Sequence, residues 1–394
     1  MAVLGSLVEQ IRGVSYKPED LHSNLNANSI MLLRANNIRD DMVNFDEVVY
    51  VDRKKVADKQ LLKAGDILIC TSSGSKELVG KAAYITEDIE ATFGAFCKVV
   101  RPRSQCAKYI GHFFCSPIYR ERIANVAGGA NINNIRNEHI DELTIPLPAL
   151  AEQESIAALL DSVTALISLR KLQIAKLDEL VKSRFVEMFG DLANPACNWP
   201  QLRLAEACVD PDDIKCGPFG TQLSKDEYKD AGVAVWEIPQ INSHFSTQPT
   251  HYLTEEKAQQ LDAYSLKPGD IAMSRKGNVG KCSIFPSGFK AGIIHSDVLR
   301  IRVDASRVSP IFMMHQLHYS GAVQHQIELV SSGAIMSGIN VTKLKQIFVH
   351  IPPLELQTQF AAFVEQTEKS KLTIQYSLAK LETLKKSLMQ MYFG

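Results

Sequence analysis

From Glu152 to Phe185 the chain runs without a Gly or a Pro, and its apolar residues fall at Ile156, Leu160, Val163, Ile167, Ile174, Leu177 and Val181. Steps of three, four and seven residues place them along one side of an α-helix. A second run has the same character, with Phe360, Phe363, Ile374, Leu378, Leu381, Leu384 and Leu388 on a comparable stripe. Prolines stand ahead of each run, at Pro148 and at Pro352–Pro353, where a helix start tolerates them. Thirty-odd residues at 1.5 Å each make a rod of roughly 50 Å. Such a helix cannot bury its stripe alone, and each has a partner in the other. The pattern predicts an antiparallel pair, with Ile156, Val163, Ile174 and Leu177 as pairing positions on one helix. Phe360, Ile374, Leu381 and Leu384 serve on the other, where Thr367 and Ser370 interrupt the stripe and mark a weaker seam or one taken by another protein.

Between and before the rods the period changes. Gly65–Cys70 and Gly269–Ser274 read as a turn followed by a strand, and Glu47–Val51, Phe96–Val100 and Asp297–Val303 are further strand candidates. Tyr109–Val126 and Pro310–Leu329 read as helices. The two halves of this pattern are copies. Segments AKLDELVKSRFVEMFG and AKLETLKKSLMQMYFG end at Gly190 and Gly394, 204 residues apart. The same offset carries Pro148, Leu150, Gln153 and Ala157 onto Pro352, Leu354, Gln357 and Ala361, and the LKxGDI of residues 62–67 onto that of residues 266–271. A single offset over so many matches marks a tandem duplication. The expected architecture is α+β with pseudo-twofold repetition. Residues 1–147 form a first globular part of mixed α/β structure and 148–190 a first spacer helix. A linker follows at 191–200, where Asn, Pro and Ala cluster, then a second globular part at 201–351 and a second spacer helix at 352–394.

Composition adds limits more than content. A chain of 394 residues with 45% hydrophobic and 22% charged residues has material for more than one core. Its 43 Lys and Arg against 44 Asp and Glu give no bulk basic charge, so a nucleic-acid partner requires the bases to be gathered on one face. The eight cysteines are scattered with no CxxC pair, and MAVLGSLVEQIRG is no signal peptide; both point to a reducing, cytoplasmic setting without a membrane partner. Enzyme motifs are missing: no phosphate-binding GxxxxGK[ST], and no Asn/Asp-Pro-Pro-aromatic string for a flipped base. Asp210-Pro211-Asp212-Asp213 lacks the second proline and the aromatic. His315, His318 and His325 lack companions at zinc spacing and read as surface or packing residues.

What recurs instead is a polar, glycine-rich loop after the GDI strand. The first copy offers Ser72, Ser73, Lys76 and Lys81; the second offers Arg275, Lys276, Asn278 and Lys281. Such residues donate to phosphates or base edges where glycine lets the backbone come close, though an ordinary tight hairpin has the same composition. A second recurring loop precedes each rod, with Asn131 and Asn133 in one copy and Ser331 and Ser332 in the other. A third candidate pairs Arg34, Asn36 and Asn37 with Gln240 and Asn242.

Taken in order and in duplicate, these features resemble the specificity subunits of type I restriction–modification enzymes over essentially the whole chain. The residues that carry the resemblance are LKxGDI with its downstream Val79-Gly80-Lys81 and Val279-Gly280-Lys281, Pro218-Phe219-Gly220, and the Pro-x-Leu-x-x-Gln start of each rod. The first half shows no evident match to Pro218-Phe219-Gly220, and its loop after the strand is four residues longer. The resemblance implies that the globular parts are target recognition domains, each reading one half of a split site in double-stranded DNA. It implies that the helices form an antiparallel coiled coil acting as a ruler, and that the chain itself catalyses nothing and holds no cofactor. Methyltransferase subunits, two by the pseudo-symmetry, would dock around the helices and methylate adenine at N6 with S-adenosylmethionine. Restriction motor-nuclease subunits would bring ATP and Mg. Two other readings remain: a chain that modifies DNA itself, against which the missing motifs count, and a helical scaffold that reads no DNA. The scaffold leaves DNA binding intact in an Arg275→Ala, Lys276→Ala double variant, whereas the specificity reading expects its loss.

Overall fold

The computed structural model describes the chain except residues 76, 104–105, 128–133, 191, 193–196, 278 and 332–337, and the side chains of 126 and 127. It divides into two compact units. One comprises Met1–Leu172 with Gln375–Gly394, the other Gln173–Ile374. The division cuts through both long helices, Leu150–Phe189 and Leu354–Phe393, each of 40 residues. Each unit therefore takes helical segments from both repeats.

In the first unit a four-stranded antiparallel sheet runs in the order Val8–Arg12, Cys97–Pro102, Ile67–Cys70, Ala82–Tyr84. Ile67–Cys70 is buried throughout because both faces of the sheet are covered, which is why it reads as an unbroken apolar run. In the second sheet Ala91–Phe93 lies parallel to Ser29–Leu33, followed by antiparallel Val49–Asp52 and Leu21–His22. The second unit repeats the plan. Ile214–Cys216, Val298–Ile301, Ile271–Ser274 and Cys282–Ile284 form one sheet, and Val233–Trp236 lies parallel to Gly292–Ile294 in the other.

Each predicted helix ahead of the rods is in fact two. Tyr109–Val126 resolves into Ala107–Phe114 and Pro117–Ala127, and Pro310–Leu329 into Pro310–Tyr319 and Gly321–Val330. Both breaks fall on a buried serine that caps the second helix. The Ser116 hydroxyl accepts from Tyr119 N, and the Ser320 hydroxyl from Val323 N.

The long helices run antiparallel within each unit. In the first, Ile156, Ala157 and Leu160 share a core with Met389 and Phe393, whose ring lies 5.1 Å from that of Tyr109. Lys171 and Glu382 pair at 3.9 Å. In the second, Val181, Phe185 and Phe189 pack with Phe312, Phe360 and Val364, and Lys371 meets Asp178 at 2.6 Å. Val163 is buried, while Ile174, Leu177, Ile374 and Leu381 are half-buried. Leu384 departs from its expected place: it is 46% exposed. The inward stripe steps through Leu378, Leu381, Lys385, Leu388 and Tyr392 instead, and Lys385 turns its amine to Asp41 at 3.6 Å. Burial raises the Asp41 carboxyl above its usual range, against the pull of Lys385.

The repeated motifs turn out to be scaffold. Asp66 caps the turn before its strand by accepting from Lys63 N at 2.9 Å, and takes Arg101 Nε and a terminal nitrogen at 2.7 and 2.8 Å. Asp270 does the same with Lys267 N and with Arg302, at 2.7 Å in each bond. Gly65 and Gly269 adopt φ of 91° and 90°, which a side chain would strain. The glutamine that follows each proline donates back to it: Gln153 Nε2 to Pro148 O at 2.8 Å, Gln357 Nε2 to Pro352 O at 2.7 Å. Among the described residues no helix is long and apolar enough to cross a membrane.

Candidate nucleic-acid interface

In both units the loop after the GDI strand is fastened to the segment that precedes the rod. Ser72 bridges Asn134, and Ile135 N donates to Thr71 O at 2.7 Å. In the second unit Lys276 bridges Gly338, and Ile339 N donates to Arg275 O at 3.1 Å. These are the same four positions shifted by 204, so in each half the loop after the GDI strand is tied to the described segment at residues 134–135 or 338–339. The turn that closes each loop needs glycine. Gly80 and Gly280 have φ of 81° and 82°, and a Cβ on Gly80 would come within 2.8 Å of Ile123.

The third candidate loop follows the parallel strand. In the first unit Asn37 is fully buried and its amide is used to fix the loop. Its Oδ1 accepts from Arg34 N at 2.9 Å, and its Nδ2 donates to Asn44 O and Asp46 O, both at 3.0 Å. Gln240 does the equivalent work in the second unit, accepting from Glu237 N at 3.1 Å and donating to Gln248 O at 2.9 Å. Ser331 is likewise buried, its hydroxyl given to Ile327 O. Arg34, Asn36, Ser72, Ser73, Lys81, Asn242, Arg275, Lys276 and Lys281 are half-buried. Lys76, Asn131, Asn133, Asn278 and Ser332 lie outside the described residues.

The first unit brings four of its candidates to a cavity of about 380 Å³, while Asn37 and Lys81 stay outside its lining. Arg34 and Asn36 line it from one loop, Ser72 and Ser73 from another, and Tyr16 and Phe96 add aromatic faces. Phe96 is 64% exposed. No carboxylate lines this cavity among the described residues. Cys97, also in the lining, has its thiol held well above the usual range by burial, which leaves it neutral.

The second unit keeps its cations closer to the chain. The Arg275 guanidinium lies 5.0 Å from the Phe219 ring centre and donates from Nε to Ile339 O at 3.1 Å. Lys276 pairs with Asp297 at 2.8 Å, and Lys281 donates to Asn242 O at 3.1 Å.

Tyr16 and Phe96 were missed in the sequence. A signal for Tyr16 existed: Gly13 and Gly217 stand 204 residues apart, and each presses its α-carbon against the segment after the parallel strand. A Cβ would come within 2.1 Å of Gly94 O at Gly13, and 2.2 Å of Ile294 O at Gly217. Gly13–Tyr16 is thus the first-half counterpart of Gly217–Gly220, and Tyr16 stands near the place of Phe219. Phe96 left no such trace.

Two copies of one fold, each carrying donors and an exposed aromatic ring in its loops, make up a duplicated module. The type I restriction modification DNA specificity domain matches residues 16–179 and again 217–383. The chain belongs to that family and is a specificity subunit of a type I restriction–modification system. It is 29% identical over 375 residues to the StySPI specificity subunit of Salmonella potsdam, covering 93% of this chain and 81% of that one. It is 27% identical over 410 residues to the EcoKI specificity subunit of Escherichia coli K12, covering 100% and 88%. Among solved structures it resembles the S subunit from M. genitalium at 14% identity, TM-score 0.59, over 100% of this chain and 95% of that one. A chain from a study of assembly and conformational transition in a type I system matches at 17% identity, TM-score 0.54, over 99% and 96%. Those two likenesses concern the fold.

Proposed function

We propose that this chain reads DNA without catalysing any step, each globular half taking one half of a split double-stranded site. Methyltransferase subunits, two by the internal symmetry, dock on the long helices and methylate adenine N6 with S-adenosylmethionine, and restriction subunits supply the ATP- and Mg-dependent cleavage. The single observation that carries the reading is the duplicated fastening of two polar loops, Ser72 to Asn134 and Lys276 to Gly338. A recognition surface has to present several side chains at fixed spacing, and those loops are pinned by backbone bonds in both halves. The near-zero net charge suits a reader whose stable binding needs partner subunits. The direct test is co-expression with the methyltransferase encoded beside it, followed by mapping of N6-methyladenine across the host DNA. A two-part motif methylated only when this chain is present is the expected result. Methylation indifferent to the chain would return the weight to the helical scaffold.

A further inference from the structure

Arg34 leads directly from Leu33, the last residue of the strand Ser29–Leu33, into the cavity of the first unit. Its backbone is clamped by Asn37, and one terminal nitrogen is spent on Glu47 O at 3.0 Å. Its Nε is buried with no hydrogen-bond partner, and no carboxylate pairs with this side chain among the described residues. With Nε enclosed, what remains for a ligand is the pair of terminal nitrogens, beside a cavity lined by Asn36, Ser72, Ser73 and two aromatic rings and suited to a flat ligand edge rich in acceptors. Guanine O6 and N7 and the oxygens of a phosphate share that chemistry.

The second unit separates these two. Glu237 leads from Trp236 at the end of the equivalent strand, and its backbone is clamped by buried Gln240 as Arg34 is by Asn37. The clamp is kept while the side chain changes from base to acid; Glu237 Oε2 meets His251 Nδ1 at 2.9 Å. A position that serves phosphates calls for a cation in both halves, since both meet the same backbone. A position that reads bases has to differ when the two half-sites differ. We infer that Arg34 is a specificity-determining residue of the first half, presenting its guanidinium fork to O6 and N7 of one guanine, with Phe96 and Tyr16 flanking the contact. This rests on the DNA-reading role proposed above.

The test compares wild-type chain with Arg34→Lys and Arg34→Ala, each co-expressed with the methyltransferase, by mapping methylated motifs. Arg34→Lys keeps the charge and loses the fork. The expected result is one guanine position in one half-site relaxed about 10- to 100-fold toward other bases, with the other half-site unchanged. An unaltered motif in Arg34→Lys, with Arg34→Ala lowering methylation evenly at all sites, marks a phosphate contact and overturns the assignment. Thermal unfolding of each purified variant shows whether it is folded, and should Arg34→Ala fail to fold, the lysine variant decides. A wild-type chain that yields no two-part motif would instead remove the DNA-reading role itself, so the two failures are distinguishable.

Discussion

Asp66 is 1% exposed and Asp270 3%, yet each takes two hydrogen bonds from one arginine and a third from the backbone. Removing one partner of such a pair leaves the other charge without compensation. Asp66→Asn and Asp270→Asn are each expected to lower stability by about 3 kcal/mol, the low end for a buried pair because the arginines keep partial exposure; urea unfolding measures it. The carboxylate was visible in the sequence as part of LKxGDI, and its arginine was not. Arg101 and Arg302 stand 201 residues apart rather than 204, chiefly because the first loop is four residues longer. The same shift hid the cavity residues: Phe96 has no aromatic counterpart to announce it. Gly13→Ala and Gly217→Ala, each driving a methyl group into a carbonyl oxygen, are expected to destabilise their own unit more than an exposed Gly74→Ala. Equal melting curves would deny the close approach.

At the level of elements, the apolar stripe announced both long helices because a period of three and four runs from Ile156 to Val181 and, interrupted at Thr367 and Ser370, from Phe360 to Leu388. Their starts were marked by proline and glutamine. The breaks at Ser116 and Ser320 were legible but were read through: Ser116-Pro117 and Ser320-Gly321 each set a capping serine before a residue that interrupts a helix. Leu384 was misplaced for another reason: Leu384 and Lys385 fit the same heptad step, and only packing against the loop at Asp41 selects the lysine. The second long helix also rests on a titratable group. His315 is 6% exposed, with its Nδ1 2.7 Å from Ile311 O and its ring 5.2 Å from that of Phe360. Burial, the largest cause, lowers its pKa to about 4. The unfolded histidine titrates near 6.5, so the unfolded chain takes up the proton first. Stability is therefore intact above that value and falls as pH drops from about 6.5 to 4, by up to about 3 kcal/mol. Unfolding curves at pH 7 and pH 4.5 should differ less for His315→Gln than for wild type; an equal difference would show that this ring carries no part of the acid sensitivity.

On the scale of the whole molecule, duplication was plain from one offset, and the exchange of helix ends was plain in part. The antiparallel pairing already sets the end of AKLETLKKSLMQMYFG beside the start of the first rod; what the stripe does not tell is that Met389 and Phe393 also enter the globular core of the first unit. If the helices set the spacing of the target, adding one turn after Lys171 and a matching turn in the second helix lengthens them by about 5.4 Å. The unspecified gap in the methylated motif should then grow by about one or two base pairs, and an unchanged gap discards the ruler. The exchanged helix end also has a consequence in time. Tyr109 and Phe393, packed ring to ring in one core, leave the ribosome about 280 residues apart, a delay of roughly 15 to 60 seconds at bacterial rates of synthesis. For that interval the apolar seat of Phe393 stands open to water, while the second unit receives its own helix end, Phe189, before its globular part is made. The part synthesised first is the last to be completed, and during translation it is the one that most needs a chaperone's cover.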